Sequence, residues 1–315
     1  MSDFAFVFPG QGSQSVGMLS DLAARHPEVQ ATFVEASEAL GEDLWTLSQS
    51  GPAERLNQTA ITQPVMLAGG IATWRVWQSL GGRAPRLLAG HSLGEYAALV
   101  AAGSMNFGDA IKVVAERGRL MQAAVPEGQG AMAAILGLDD EVVEALCREV
   151  AEGQVVSAAN YNSPGQLVIA GEATAVERAM HSAKEAGARR AVILPVSVPS
   201  HCALMKPAAE QLAATLAEVE IGPPSIPVLH NVDVQSRMEG ASIREALVAQ
   251  MHSPVRWTAT VRALAEAGID RVAECGPGRV LAGLGRRIER SLNWAALEDP
   301  EQITSCAAEW DQSGN

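Results

Sequence analysis

Three observations predict an α/β protein, with a mostly parallel, helix-covered sheet as its core and a smaller βαββαβ unit set into it. Apolar runs alternate with helical periodicities along the chain. One run ends in a glycine-bracketed serine at a strand-to-helix turn. Between about 127 and 197 the order becomes strand, helix, strand, strand, helix, strand. The 315 residues, 48% hydrophobic and 19% charged, suffice for a large core plus a small unit. The expected division is a core of residues 1–126 and 198–315 and an insert of 127–197.

Phe4–Phe8 is a continuous apolar run, as expected of a strand buried on both faces. It feeds the loop Pro9-Gly10-Gln11-Gly12-Ser13-Gln14. A dinucleotide fingerprint would place its third glycine at position 15, whereas the next glycine is Gly17, which argues against that reading. Helical patterns follow near 28–40 and 61–80, then a strand at 86–90 and a helix at Glu95–Ala102. A further helix at 107–124 opens on Asn106 as its cap. Its apolar stripe is Ala110, Val114, Met121 and Ala124, and Arg117 falls on the same stripe. An inward arginine needs an anionic partner, because an unpaired buried charge is costly. An arginine at the stripe's edge would instead reach water, and periodicity alone permits both.

In the insert, strands are expected at Ala131–Leu136, Val155–Ala159, Gln166–Ala170 and Arg190–Pro195. Helices are expected at Asp139–Val150 and Ala173–Ala186, and a turn at Asn162-Ser163-Pro164-Gly165. This order is ferredoxin-like. The core resumes with a helix at Ala203–Val219, a strand at Ile226–His230, and helices at 242–250 and 258–267. A strand at 270–274 and a helix ending near Ile288 follow. The acidic, polar stretch Glu298–Asn315 is expected to be a loosely packed tail.

Gly90-His91-Ser92-Leu93-Gly94 is G-x-S-x-G between a strand and a helix, the turn that lifts a serine nucleophile in a hydrolase-like fold. The backbone N–H of Leu93 then points from a helix N-terminus toward a developing oxyanion. The loop around Gln11 suits the second donor. A serine hydroxyl needs a base, and His201, His230 and His252 all lie at element ends; spacing does not choose among them. A backbone carbonyl can hold the base's tautomer, and Asp233 is the one acid nominated for that task.

A net charge of −13 excludes a general nucleic-acid binder. No apolar run reaches the roughly 18 residues a membrane helix needs. Met1-Ser2-Asp3 lacks a basic region, so no signal peptide is expected. Cys147, Cys202, Cys275 and Cys306 form no C-x-x-C pair, which fits a reduced cytoplasmic setting without a zinc or redox site.

Along nearly its full length the chain resembles the malonyl-CoA:acyl-carrier-protein transacylases of bacterial type II fatty-acid synthesis. The matching pieces are Phe8–Gln14, Gly90–Tyr96, Arg117 with Met121, and Asn160-Tyr161-Asn162-Ser163-Pro164. Further on they are Val198-Pro199-Ser200-His201, Asn231-Val232 and Gln250 with Pro254-Val255-Arg256-Trp257. The resemblance implies that Ser92 is acylated, that His201 is the base, and that Gln11 and Leu93 form the oxyanion hole. It implies that Arg117 binds the malonyl carboxylate and that a carbonyl at Gln250 holds the histidine, so Asp233 loses its claim. Met121, Gln250, Asn160, Asn162 and Asn231 are expected around the substrate.

The substrates implied are malonyl-CoA and holo acyl carrier protein, with no metal, permanent cofactor, nucleic acid or membrane involved and a monomer doing the work. An acidic enzyme serving the acidic carrier of that family needs local basic residues, and Arg189-Arg190 and Arg286-Arg287 are the doublets expected to dock it. Two other enzymes share these signals: an acyltransferase acting in trans on a polyketide assembly line, and a serine thioesterase, which passes the acyl group to water. A non-catalytic carrier-binding scaffold is the alternative from outside enzymology, and Ser92, His201 and Arg117 together speak against it.

Overall fold

A computed structural model describes residues 3–196 and 198–311. Among them, nine strands run in chain order: β1 (Asp3–Phe8), β2 (Leu87–Gly90), β3 (Gly130–Leu136), β4 (Val156–Ser163), β5 (Gln166–Glu172), β6 (Arg190–Ile193), β7 (Val228–Leu229), β8 (Ile269–Glu274) and β9 (Asn293–Ala296). Five form one sheet in the order β7-β2-β1-β8-β9, every pairing parallel. Four form a second, antiparallel sheet in the order β4-β5-β3-β6, the ferredoxin-like arrangement the element order predicts. Its strands use residues 130–193; position 197, the expected end of the insert, lies outside the described residues.

The parallel sheet is buried on both faces because its crossovers are helices. Phe4, Phe6 and Phe8 face one helical layer, while Ala5 and Val7 face the other, packed by Trp257, Val261 and Leu281. The helix Thr59–Ser79 is buried nearly all round, as befits one lying between the sheet and other helices. Gly118 on the helix Phe107–Ala124 lets it approach closely: a side chain there would stand 2.6 Å from Ala60 Cα. No helix among the described residues is long and apolar enough to cross a membrane.

Three expectations change. The stretch from 298 is not loose: Pro300–Asp311 is a helix whose Ile303, Cys306, Ala307 and Trp310 are buried. That is one helical stripe, hidden in the sequence by its acidic neighbours; residues 312–315 lie outside the described residues. The Trp310 ring lies tilted 5.0 Å from that of Phe4 and edge-on 6.0 Å from that of Trp77. Second, β4 runs on to Ser163, so Asn160 and Asn162 sit on a strand and the hairpin turn shrinks to Pro164-Gly165. Third, short helices at Ser20–Arg25, Leu44–Ser50 and Ala53–Leu56, and the edge strand β9, had no sequence counterpart. The expected strand Ile226–His230 pairs only over Val228–Leu229.

The insert is tied to the core beside β4. Tyr161 N donates to Val255 O at 3.0 Å, and Val255 N donates to Ala159 O at 2.9 Å. This fixes the insert to the segment that follows the helix Gly240–His252.

Candidate active site

At the end of β2 the chain turns through Ser92, whose φ is 52°, into the helix Gly94–Ala101. Both flanking glycines are required by space. A side chain on Gly90 would fall within the backbone of Gly94, and one on Gly94 within the backbone carbonyl of Phe8. Gly10 has the same role toward the His91 carbonyl, which lets the Gln11 loop lie against the turn. Gln11 is tied down by Nε2 donating to Thr59 Oγ1 at 3.3 Å.

Of the three candidate histidines, the fold brings His201 to the serine. Its Nε2 lies 2.7 Å from Ser92 Oγ, and its Nδ1 lies 2.8 Å from the main-chain carbonyl of Gln250. The carbonyl only accepts, so Nδ1 carries the proton and Nε2 is free to accept from the hydroxyl. Burial, aided by the Arg117 cation, pushes the His201 pKa down to about 3, which keeps the imidazole neutral. His230 is buried behind the turn against Glu95. His91 points away, with Nε2 2.9 Å from Asn162 Oδ1 and its ring against Trp257. His252 faces a groove lined by Glu144, Arg148, Tyr161, Arg256 and also His201, but it is His201 that reaches Ser92 Oγ. Asp233 is engaged with Arg237 at 2.6 Å.

Arg117 turns inward and is 1% exposed. Its Nη1 donates to Gln63 Oε1 at 2.8 Å, and its Nη2 to Gln250 Oε1 at 2.9 Å and to Ser92 Oγ at 3.2 Å. The guanidinium stands 5.6 Å from the Tyr96 ring centroid. Its Nε is buried without a partner among the described residues. A small cavity of about 110 Å³ opens before this group, lined by Gln11, Gln63, Ser92, Met121, Asn160 and His201 among others. A cation is therefore aimed into the cavity within hydrogen-bond reach of the nucleophile.

The remaining expected residues separate into two sets. Met121 and Asn160 line the cavity, and Asn162 positions His91. Asn231 and Gln250 lie under the turn. Asn231 Oδ1 accepts from Ser92 N at 2.7 Å, while its Nδ2 donates to Gly90 O at 2.6 Å. Gln250 Nε2 donates to Ser92 O at 3.0 Å and to Glu95 Oε2 at 2.9 Å. Both residues brace the nucleophile's backbone. Gln63 and Glu95 were missed by sequence reasoning. A glutamine in the apolar run Ile61–Leu67 and a glutamate one position past the second elbow glycine were the signals available, since a polar group in a buried element needs partners.

Arg189, Arg190 and Arg287 line one surface groove with Ser163–Gln166, and Arg287 Nη1 donates to Gln166 Oε1 at 3.1 Å. Arg286 does not join them; its Nη2 donates to Trp294 O at 3.0 Å. Among the described residues no group of three or more His, Cys, Asp or Glu side chains is placed to hold a metal.

The acyl transferase domain family matches residues 5–302. A malonyl CoA-acyl carrier protein transacylase of Salmonella typhimurium is 57% identical over 305 residues, covering 97% of this chain and 99% of the relative. One from Bacillus subtilis is 46% identical, covering 96% of each. Among solved structures, a malonyl-transacylase in complex with its type II PKS acyl-carrier protein superposes with a TM-score of 0.96 at 57% identity, covering 98% of this chain and 99% of that one. The corresponding transacylase of Coxiella burnetii gives 0.97 at 51% identity, covering 98% and 97%. With the serine turn, the histidine and the inward arginine assembled on this fold, the chain belongs to the acyl transferase family, among its malonyl CoA-acyl carrier protein transacylases.

Proposed function

We propose that the protein transfers the malonyl group from malonyl-CoA to the phosphopantetheine thiol of holo acyl carrier protein, supplying the extender unit of fatty-acid synthesis. The observation that carries this reading is Arg117, a fully buried guanidinium 3.2 Å from the nucleophilic oxygen. A guanidinium fork matches a carboxylate, and a bidentate pair fixes orientation as well as affinity. An acetyl thioester has nothing to offer it.

Ser92 Oγ attacks the thioester carbonyl while His201 Nε2 takes its proton. The N–H groups of Gln11 and Leu93 receive the developing oxyanion. The C–S bond breaks, the proton passes from His201 to the departing sulfur, and malonyl remains as an ester on Ser92. The carrier's thiol then gives its proton to His201 and attacks that ester. The C–O bond breaks, the proton returns to Ser92, and a new thioester leaves. No metal or resident cofactor enters, and coenzyme A is a substrate. Met121 and Asn160 shape the cavity wall; Asn162, Asn231 and Gln250 hold His91, Ser92 and His201 in place.

The same reading divides the chain into a catalytic core of 1–126 and 198–315 and an insert of 127–197, with the substrate between them. It makes the enzyme a cytoplasmic monomer. The carrier docks at Arg189, Arg190 and Arg287, while Arg286 is committed to β9.

Intact-protein mass spectrometry after mixing with malonyl-CoA tests the chemistry. A malonyl adduct is expected on the wild type and absent from Ser92→Ala, while Arg117→Ala accepts acetyl about as readily as malonyl. Undiminished label on Ser92→Ala, or undiminished preference in Arg117→Ala, would sink the assignment.

A further inference from the structure

The mechanism above leaves the buried carboxylate of Glu95 without a task. Glu95 is 0% exposed, and its two oxygens are fully engaged. Oε2 accepts from Asn231 N and from Gln250 Nε2, both at 2.9 Å, and Oε1 faces His230 Nδ1 at 2.7 Å. Gln250 spans the gap to Arg117, with its amide nitrogen on Glu95 and its amide oxygen on Nη2. The amide dipole thus lies between an anion and a cation, each end matched to its neighbour.

Nothing else hydrogen-bonded to Arg117 carries a compensating charge. Gln63 Oε1, Gln250 Oε1 and Ser92 Oγ are neutral acceptors. Burial pushes the Tyr96 phenol up to about 12, so it stays protonated. Burial pushes both His91 and His201 down, so they stay neutral. His230 turns Nδ1 toward Glu95 Oε1 at 2.7 Å, and its buried Nε2 has no hydrogen-bond partner among the described residues. Glu95 is the carboxylate joined to Arg117 through the Gln250 amide.

We infer that Glu95 is the fixed counter-charge of Arg117, acting through the Gln250 amide, and that it sets how tightly the site holds a carboxylate. The inference rests on Arg117 as the carboxylate anchor proposed above. Without substrate, the two charges make a neutral buried pair, which a lone arginine would not be. When a carboxylate enters, the site holds one cation and two anions, so Glu95 opposes binding. The malonyl group is gripped enough to be selected and loosely enough to be passed on.

Glu95→Gln isolates the charge. Its carbonyl oxygen can keep the bonds from Asn231 N and Gln250 Nε2, and its amide can face His230 once that ring's proton moves to Nε2. Binding of free malonate, followed by thermal shift and titration, is the readout. In the wild type, malonate raises Tm; if it does not, the anchoring role of Arg117 fails. In Glu95→Gln, Tm falls, malonate restores most of it, and the malonate Kd is about tenfold lower than in the wild type. KM for malonyl-CoA falls likewise. A merely structural role for Glu95 would lower Tm with no gain in malonate affinity, and an equal or weaker malonate Kd overturns the inference. The Glu95→Gln, Arg117→Gln double variant removes both charges and should recover stability relative to Glu95→Gln. Additive losses overturn the pairing, as does a double variant that also fails to fold should the single one not fold.

Discussion

Ser92 and His201, the two residues between which the proposed proton passes, both hold left-handed backbone conformations, at φ 52° and 62°. Each such residue costs about 1–3 kcal/mol, and each is held by bonds to its own backbone. Asn231 and Gln250 grip the N–H and carbonyl of Ser92, while His201 N donates to Met251 O at 3.1 Å. At this scale the environment of His201 makes a prediction. A solvent-exposed imidazole, with pKa near 6.5, would lose its proton-accepting form as pH falls through that value. Burial and Arg117 place His201 lower, at about 3, so it is still neutral at pH 5 to 6. Single-turnover acylation by malonyl-CoA should therefore hold its rate across that window and decline only below it. A midpoint at or above 6.5 would contradict the buried, neutral base.

The element scale shows what was legible in the chain and what was not. The turn at Gly90–Gly94 could be read because its glycines answer a strict local need: no side chain fits there. The inward course of Arg117 was visible only as one of two options, since periodicity places a residue on a face and not at a depth. Which histidine serves as base was invisible to spacing, because 109 positions separate Ser92 from His201; family resemblance supplied that pairing. The terminal helix Pro300–Asp311 was obscured by composition, its four buried residues lying among acidic ones. Its role is testable. Trp310 joins Phe4, Phe6 and Trp77 in one aromatic cluster, so Trp310→Ala should cost about 3 kcal/mol in urea unfolding, the scale of a large aromatic cavity. A loss within about 0.5 kcal/mol, typical of a surface change, would show that the helix contributes no core.

At the scale of the whole molecule, net charge and local charge point in opposite directions. The protein carries −13 overall, yet Arg189 and Arg190 from the β6 side and Arg287 from the helix Val280–Ile288 meet over the β4–β5 hairpin. That hairpin continues the strand bearing Asn160, which lines the cavity before Ser92. Reversing Arg190 and Arg287 to glutamate should raise KM for the carrier about tenfold at low salt and leave KM for malonyl-CoA unchanged. The difference should shrink as salt screens the groove. Equal effects on both substrates would refute docking there.

Gln250 invites a different consideration. Its main-chain oxygen aligns the base, its amide oxygen steadies the cation, and its amide nitrogen holds the nucleophile's own carbonyl. Base, cation and nucleophile thus all lean on one residue. Redesign toward other extender units has more freedom at Met132, a cavity-lining residue of β3, where a change of volume alters the acyl group admitted without touching the apparatus that moves the proton.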